Sequence, residues 1–328
     1  MHTLPPNYKP KFDAAESAFV ERALLWVESE TYNFLYPPLE GRKYVPTDNK
    51  TPPGAKFTSY RQYTRTGIAR LITERGADLP NAGLFVKEFF HQFYAIGASY
   101  QYDYLDLLAA SLASENGAPP VNLDLELALA AREAIEKKLD LISAVGSGAS
   151  NGYGLEDEAD VGMIGLINNP NATIYTVATG AGGSTAWSSK TPDEVIADLV
   201  GIVAAQISGT YKVHVPDTML MPIAQYESIM GRSMGDGRSD TILSYFLNTT
   251  KHIKEADSWL YLTGAGASSS DRMIAYKKDP RYVRHMISLE FTQLPPQLEK
   301  MVYETSCLAK TAGVISPYPL SISYGDGI

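Results

Sequence analysis

The stretch Thr179-Gly180-Ala181-Gly182-Gly183-Ser184-Thr185 is where this chain comes nearest to chemistry, because closely spaced glycines let backbone N–H groups converge on an anion such as a phosphate. No Lys follows the glycines at the P-loop position, the third glycine of a dinucleotide fingerprint is missing, and the next expected helix opens only after Lys190. A surface loop is the better reading. A nucleotide- or sugar-phosphate-binding enzyme using Gly180 to Gly183 stands as the alternative from another functional class. Gly264-Ala265-Gly266-Ala267, followed by three serines, reads as a loop for the same reasons. The histidines (His2, His91, His214, His252 and His285) have no metal-ligand spacing to one another or to a carboxylate, so no zinc site is expected. Cys307 lies in the alternating run Val302-Tyr303-Glu304-Thr305-Ser306-Cys307, where a small buried side chain is the ordinary explanation. No Gly-x-Ser-x-Gly run falls at an expected strand-to-helix turn, so no nucleophile elbow is read. Asp236 and Asp240, beside Gly235 and Gly237, lack the bidentate Glu that a calcium loop requires. The reading is therefore of a chain with no catalytic residues, no cofactor and no metal.

The signal lies instead in a charged, β-prone stretch. Arg42, Lys43, Lys50, Lys56, Arg61, Arg65, Arg70 and Arg75 face only Asp48 and Glu74 within residues 42–75, although the whole chain carries a net charge of -9. From Lys56 the order Lys-Phe-Thr-Ser-Tyr-Arg-Gln-Tyr-Thr-Arg-Thr favours extended backbone, and its apolar residues are too sparse for a two-sided core. A basic arm on an acidic body suits head-to-tail contact between identical copies. The plainer alternative is a solvated hairpin.

Composition sets the frame for this arm. With 328 residues, 45% hydrophobic and 20% charged, the chain reads as globular, with two domains or one domain with large excursions. No apolar run approaches the roughly 20 residues that span a bilayer. The start, Met-His-Thr-Leu-Pro-Pro, lacks signal-peptide features, which places folding in a cytoplasm. The lone cysteine excludes an intrachain disulfide. Net acidity argues against a dedicated nucleic-acid binder.

Along the chain, Asp13 to Phe34 is expected as a first helix, with Phe19, Ala23, Trp26 and Val27 on one stripe, ended by Pro37 and Pro38. Leu84 to Tyr100 reads as extended and leads into a short helix bearing Leu105, Leu108 and Leu112. The strongest helix runs from Asp124 to Ala144, with Leu125, Leu129, Arg132, Ile135, Glu136 and Leu139 at helical spacing and Gly146 beyond its end. Small and acidic residues between Gly146 and Gly165 mark a linker or domain crossing. Thr191-Pro192-Asp193-Glu194 carries a capping threonine, proline at the first position and glutamate at the third, so a helix is expected from Pro192 to Ile207. Val213 to Pro222 reads as a buried strand, and Gln225 to Met230 and Thr241 to Thr250 as helices. From Asp271 to Ser323 strands dominate, separated by Asp279-Pro280, Pro295-Pro296 and Gly313.

The order of these elements, with Asn122-Leu123-Asp124-Leu125 opening the long helix, Asp271-Arg272-Met273-Ile274-Ala275-Tyr276, Leu294-Pro295-Pro296-Gln297 and the closing Gly325-Asp326-Gly327-Ile328, resembles a tailed-phage major capsid protein of the Hong Kong 97 fold. The branch in question was first catalogued as a bacterial domain of unknown function. The resemblance covers nearly the whole chain and implies an α+β fold. It assigns residues 1–40 to an N-terminal arm, 41–80 to an extended E-loop, 81–155 to a P domain with its spine helix, 156–285 to an A domain, and 286–328 to C-terminal strands returning to the P domain. It also implies self-assembly as hexamers and pentamers into an icosahedral head enclosing double-stranded DNA. Lys56, Tyr60, Arg61, Tyr63, Arg65 and Arg70 of the E-loop would contact a neighbouring copy, with Glu126, Glu133, Glu136 and Asp140 as counter-charges. Further implied partners are a portal protein, scaffolding or decoration proteins, and packaged DNA held by weak, non-specific contact, with assembly in the host cytoplasm and no membrane. Residues 1–12 alone precede the first expected helix, which leaves scaffolding to a separate protein or to none. Some relatives join a Lys to an Asn between subunits; Lys50 and Lys56 lie in the arm, but no motif marks an acceptor. An encapsulin-like nanocompartment shell is the alternative within the same fold.

Overall fold

A computed structural model describes residues 37–70, 80–115, 123–147, 161–235 and 238–328. The expected helix Asp13 to Phe34 and the calcium-like Asp236 lie outside the described residues. In chain order the elements are α1 (Gly41–Tyr44), β1 (Thr47–Asp48), β2 (Phe57–Thr66), β3 (Gly83–Gln92), β4 (Tyr94–Asp103), α2 (Tyr104–Glu115), α3 (Leu123–Ala144), β5 (Thr173–Thr176), α4 (Pro192–Gly209), β6 (Thr218–Met221), α5 (Ile223–Gly231), β7 (Ser233–Gly235), β8 (Arg238–Thr241), α6 (Ile242–Thr249), β9 (Glu255–Ser258), β10 (Arg272–Tyr276), β11 (Arg284–Gln293), β12 (Gln297–Glu299), β13 (Val302–Ile315) and β14 (Ile322–Asp326).

These elements make two lobes and a projecting hairpin. In the first lobe β13 is central: β4 runs along one edge, while β11 and the short β12 share the other. Helix α3 lies on this sheet, burying Ala131, Ile135 and Leu139 against Tyr100, Ile287, Cys307 and Ala309. Leu125 and Leu129, expected on the same stripe, fall on its other side and are exposed. Gly313 does not separate two strands. It sits inside β13 with φ of 76°, where the glycine lets the strand kink and its pairing with β11 shift register.

The second lobe is a five-stranded sheet, β5-β14-β10-β6-β9, packed against α4, α5 and α6. Thr191 and Glu194 form the capping box read from sequence, and α4 runs on to Gly209. The strand expected from Val213 is shorter, since Tyr211 and Lys212 take left-handed backbone and Pro216 has no N–H to donate. Strand β14 leaves the first lobe. The chain's closing strand is inserted between β5 and β10, so residues 286–328 do not all return to one unit.

Residues 37–48 strap the lobes together, which corrects the view that the basic segment from Arg42 onward lies free with only Asp48 and Glu74 to oppose it. Tyr44 is wholly buried against Trp259, its carbonyl accepting from the Tyr276 hydroxyl (2.7 Å). Arg42 donates to Glu136 (3.0 Å) and Glu290 (2.8 Å), and Lys43 to Asp257 (2.5 Å). Gly41 is needed here, because a Cβ would run into Ser143 and lie 2.7 Å from an Asp140 oxygen. Beneath the strap, burial pushes the His285 imidazole down to about 4. Thr311 donates its hydroxyl to the Met286 carbonyl, so it accepts from His285 Nε2 (2.9 Å).

Candidate functional site: the projecting hairpin and the exposed leucine surface

Strands β2 and β3 pair along their whole length, from Phe57 opposite Gln92 to Thr66 opposite Gly83, and pair with no other strand. The hairpin therefore includes residues 83–92, beyond the expected arm, and begins only at Phe57, since 41–48 belong to the strap. Alternation gives it two faces. Phe57, Ser59, Arg61, Tyr63 and Arg65 share one face with Phe90, Glu88, Val86 and Leu84. On it Phe90 is 68% exposed and Tyr63 60%, an apolar row flanked by arginines. The opposite face turns inward at its base: Tyr60 stacks on Phe89 (5.1 Å) and His91 (5.8 Å) and packs on Phe93, Met286, Ala312 and Ile315.

The six singled-out residues thus separate. Arg61, Tyr63 and Arg65 point outward together, with Arg61 3.4 Å from Glu88 of the paired strand. Lys56 sits at the hinge, where its carbonyl accepts from Phe93 N–H. Tyr60 faces its own body, and Arg70 is exposed beyond the end of β2. Lys310 grips the approach to the hairpin through the carbonyls of Pro53 (3.1 Å) and Ala55 (2.5 Å).

A second apolar surface was not read as such from the sequence. Leu105, Leu108 and Leu112 of α2 and Leu125 and Leu129 of α3 are all exposed, as are Leu298 and Met301 on the β12–β13 turn that meets α2 through Tyr104 N–H (3.1 Å). Periodicity alone gives such stripes to a core; here they face solvent instead. Three proposed counter-charges are occupied within the chain. Glu136 holds Arg42, Glu133 pairs with Lys137 (2.7 Å), and Asp140 is buried, accepting from Gly41 N–H and the Tyr261 hydroxyl, with burial pushing its carboxyl up. Asp106, Asp124 and Glu126 remain exposed beside the leucines.

Three N–H groups of the glycine loop that a phosphate cradle would need are already taken. Ala181 N–H donates to Glu194 (2.7 Å), and Gly180 and Gly183 N–H donate to carbonyls of the loop itself. Donation from Thr191 and Ala181 holds the Glu194 carboxyl below the usual carboxylate range, so the anion of this nest is internal. At Gly264 the N–H is likewise taken, by Asp271 (2.9 Å). Among the described residues no cluster of His, Cys, Asp or Glu could hold a metal, and no helix is long and apolar enough to cross a membrane.

A two-stranded arm and an exposed leucine surface on one acidic subunit are the marks of a protein built to join copies of itself. The chain belongs to the major capsid protein family, whose profile matches residues 67–328. Among solved structures it is similar to the capsid of Myoviridae phage XM1, at 15% identity and a TM-score of 0.78 over 94% of this chain and 98% of that one. It is also similar to the capsid of a native GTA particle, at 12% identity and a TM-score of 0.63 over 96% and 98%. A structure from Gordonia phage Cozz matches at 12% identity and a TM-score of 0.60 over 99% and 98%. At such identities the likeness is one of fold, and it is the α+β capsid fold expected above. No curated protein matches by sequence. The family places the chain with capsid proteins rather than with the nanocompartment alternative.

Proposed function

We propose that this chain is the major capsid protein of a tailed phage, assembling as hexamers and pentamers into an icosahedral head around double-stranded DNA. The hairpin carries the reading. It exposes aromatic and aliphatic side chains along both strands, and nothing among the described residues covers its outer face, a state that costs about 25 cal/mol per Å² until a partner removes it from water. That partner is a neighbouring copy. Arg61, Tyr63 and Arg65 lie across the neighbour's exposed leucines, with Asp106, Asp124 and Glu126 replacing the counter-charges already used inside the subunit; Lys56 and Tyr60 fix the hairpin's base and Arg70 extends the contact. The first lobe, with α3 as its spine, serves as the P domain, and the second lobe as the A domain at the centre of each capsomer. The net charge of -9 disfavours adhesion to DNA, so the genome is confined rather than bound. A portal protein, with or without separate scaffolding or decoration proteins, completes the particle, which assembles in the host cytoplasm.

Sedimentation velocity with negative-stain microscopy of the purified protein tests this. Pentamers, hexamers or closed shells are expected at micromolar concentration. A compact monomer of 35.8 kDa at every concentration would count against the proposal.

A further inference from the structure

The strap covers a buried ionisable side chain. His285 is 1% exposed, its backbone N–H donates to the Pro46 carbonyl (2.8 Å), and its imidazole shares a cavity of about 40 Å³ with Leu39, Arg42, Glu136, Asp140 and Ser143. Because Thr311 donates its own hydroxyl proton to the Met286 carbonyl (2.9 Å), Nε2 carries the proton of the neutral imidazole, and a second proton must enter at Nδ1. The carboxylates that face it are already engaged. Arg42 of the strap lines the cavity as a cation and holds Glu136 of α3 (3.0 Å) and Glu290 of β11 (2.8 Å). Asp140 of α3 accepts from Gly41 N–H and the Tyr261 hydroxyl (2.9 Å). On β1, Asp48 lies 3.8 Å from Arg284, and on β13 Lys310 is turned to the carbonyls of Pro53 and Ala55. An imidazolium at this place competes with Arg42 for Glu136 and Glu290.

We propose that His285 makes the strap an acid-released latch between the two lobes: once protonated, it displaces Arg42 and lets residues 41–48 lift away. The strap is placed for this role, since Arg42 holds the first lobe while Lys43 and Tyr44 hold the second through Asp257 and Trp259. With the strap closed, burial and then the Arg42 charge bring the imidazole down to about 4, against 6.5 for the free ring, so the open form binds the proton more tightly. Closure is therefore fully favoured above about pH 6.5 and weakens as the pH falls toward 4. Burial raises the Glu290 carboxyl, but its bond from Arg42 outweighs this and holds it below the usual range, so Glu290 stays ionised through that window. Asp140, pushed up by burial, acts in the opposite sense, because its closed form keeps a proton the more tightly. The latch belongs to a single subunit and does not depend on shell assembly.

Hydrogen–deuterium exchange of the full chain, corrected for the intrinsic pH dependence of exchange, tests the latch. Protection of residues 41–48 should fall by roughly twentyfold from pH 7 to pH 5, the ratio set by 6.5 for the open form and about 4 for the closed one. Strand β10, in the middle of the second-lobe sheet, should keep its protection. His285→Gln retains an N–H for Thr311 and cannot become cationic, so it should hold the fall at the strap below about threefold. An equal fall in the parent and in His285→Gln would overturn the latch, and so would an equal loss in β10, which would mean that acid unfolds the whole subunit. If the variant does not fold, the parent profile decides alone, because strap protection that stays flat between pH 7 and pH 5 contradicts release by His285.

Discussion

Replacing Arg61, Arg65 and Arg70 together by Glu is expected to leave the subunit folded and to abolish its assembly. All three side chains are exposed, and the core clusters do not include them, so the folding cost stays within the range of surface substitutions, about 0.5 kcal/mol each. At the contact the effect is far larger. In the proposed contact each reversal turns an attraction toward the neighbour's Asp106, Asp124 and Glu126 into repulsion, and like charges brought together at an interface cost several kcal/mol. Because every subunit of a shell repeats the contact, the loss multiplies across the particle. Circular dichroism should remain that of the parent protein while sedimentation shows only small species. Normal shells from the triple variant would remove the arm from the interface.

A comparable loss, this time of folding, is expected from Lys190→Met. Lys190 and Asp198 are each 2% exposed, and the ammonium lies 2.5 Å from a carboxylate oxygen that also accepts from Trp187 Nε1 (3.0 Å). Arg232 adds a bond to the Lys190 carbonyl (2.6 Å), so this cluster pins the segment before α4 to the second-lobe core. Removing the ammonium strands a buried carboxylate, a change that typically costs about 3–5 kcal/mol. Adding Asp198→Leu should recover part of the loss, because no buried charge remains, although Trp187 then lacks an acceptor. Urea midpoints are best compared in the arm-reversal background, where assembly cannot contribute to apparent stability. An unchanged midpoint for Lys190→Met would mean that the pair contributes nothing to the fold.

The elements legible in the sequence were those whose signals are local. Thr191 to Glu194 caps α4 by hydrogen bonds between neighbours in the chain, and α3 follows from an unbroken helical period ended by Gly146, whose φ is 83°. Alternation marked β2, and the aromatic run marked β3. What escaped depends on partners distant in sequence. That Arg42 is held by Glu136 and Glu290, or that Asp140 is sealed beneath Gly41 and Tyr261, cannot be read from spacing, so the strap passed for free arm and its acceptors for counter-charges. Leu125 and Leu129 repeat at helical spacing just as core residues do, and only the placement of the sheet decides which stripe is covered. For the glycine loop, the missing P-loop Lys is legible in the sequence, but Glu194 reaching back to accept from Ala181 N–H appears only in three dimensions.

The central claim is that the hairpin Phe57–Gln92 serves a neighbouring subunit rather than its own. A cryo-electron microscopy reconstruction of the assembled particle tests this most directly, because it locates both strands relative to each subunit boundary. The hairpin should cross to the adjacent copy, with Phe90, Tyr63, Arg61 and Arg65 against that copy's α2 and the amino-terminal half of α3. A reconstruction in which the hairpin lies over its own lobes and the leucine surface faces solvent would contradict the account.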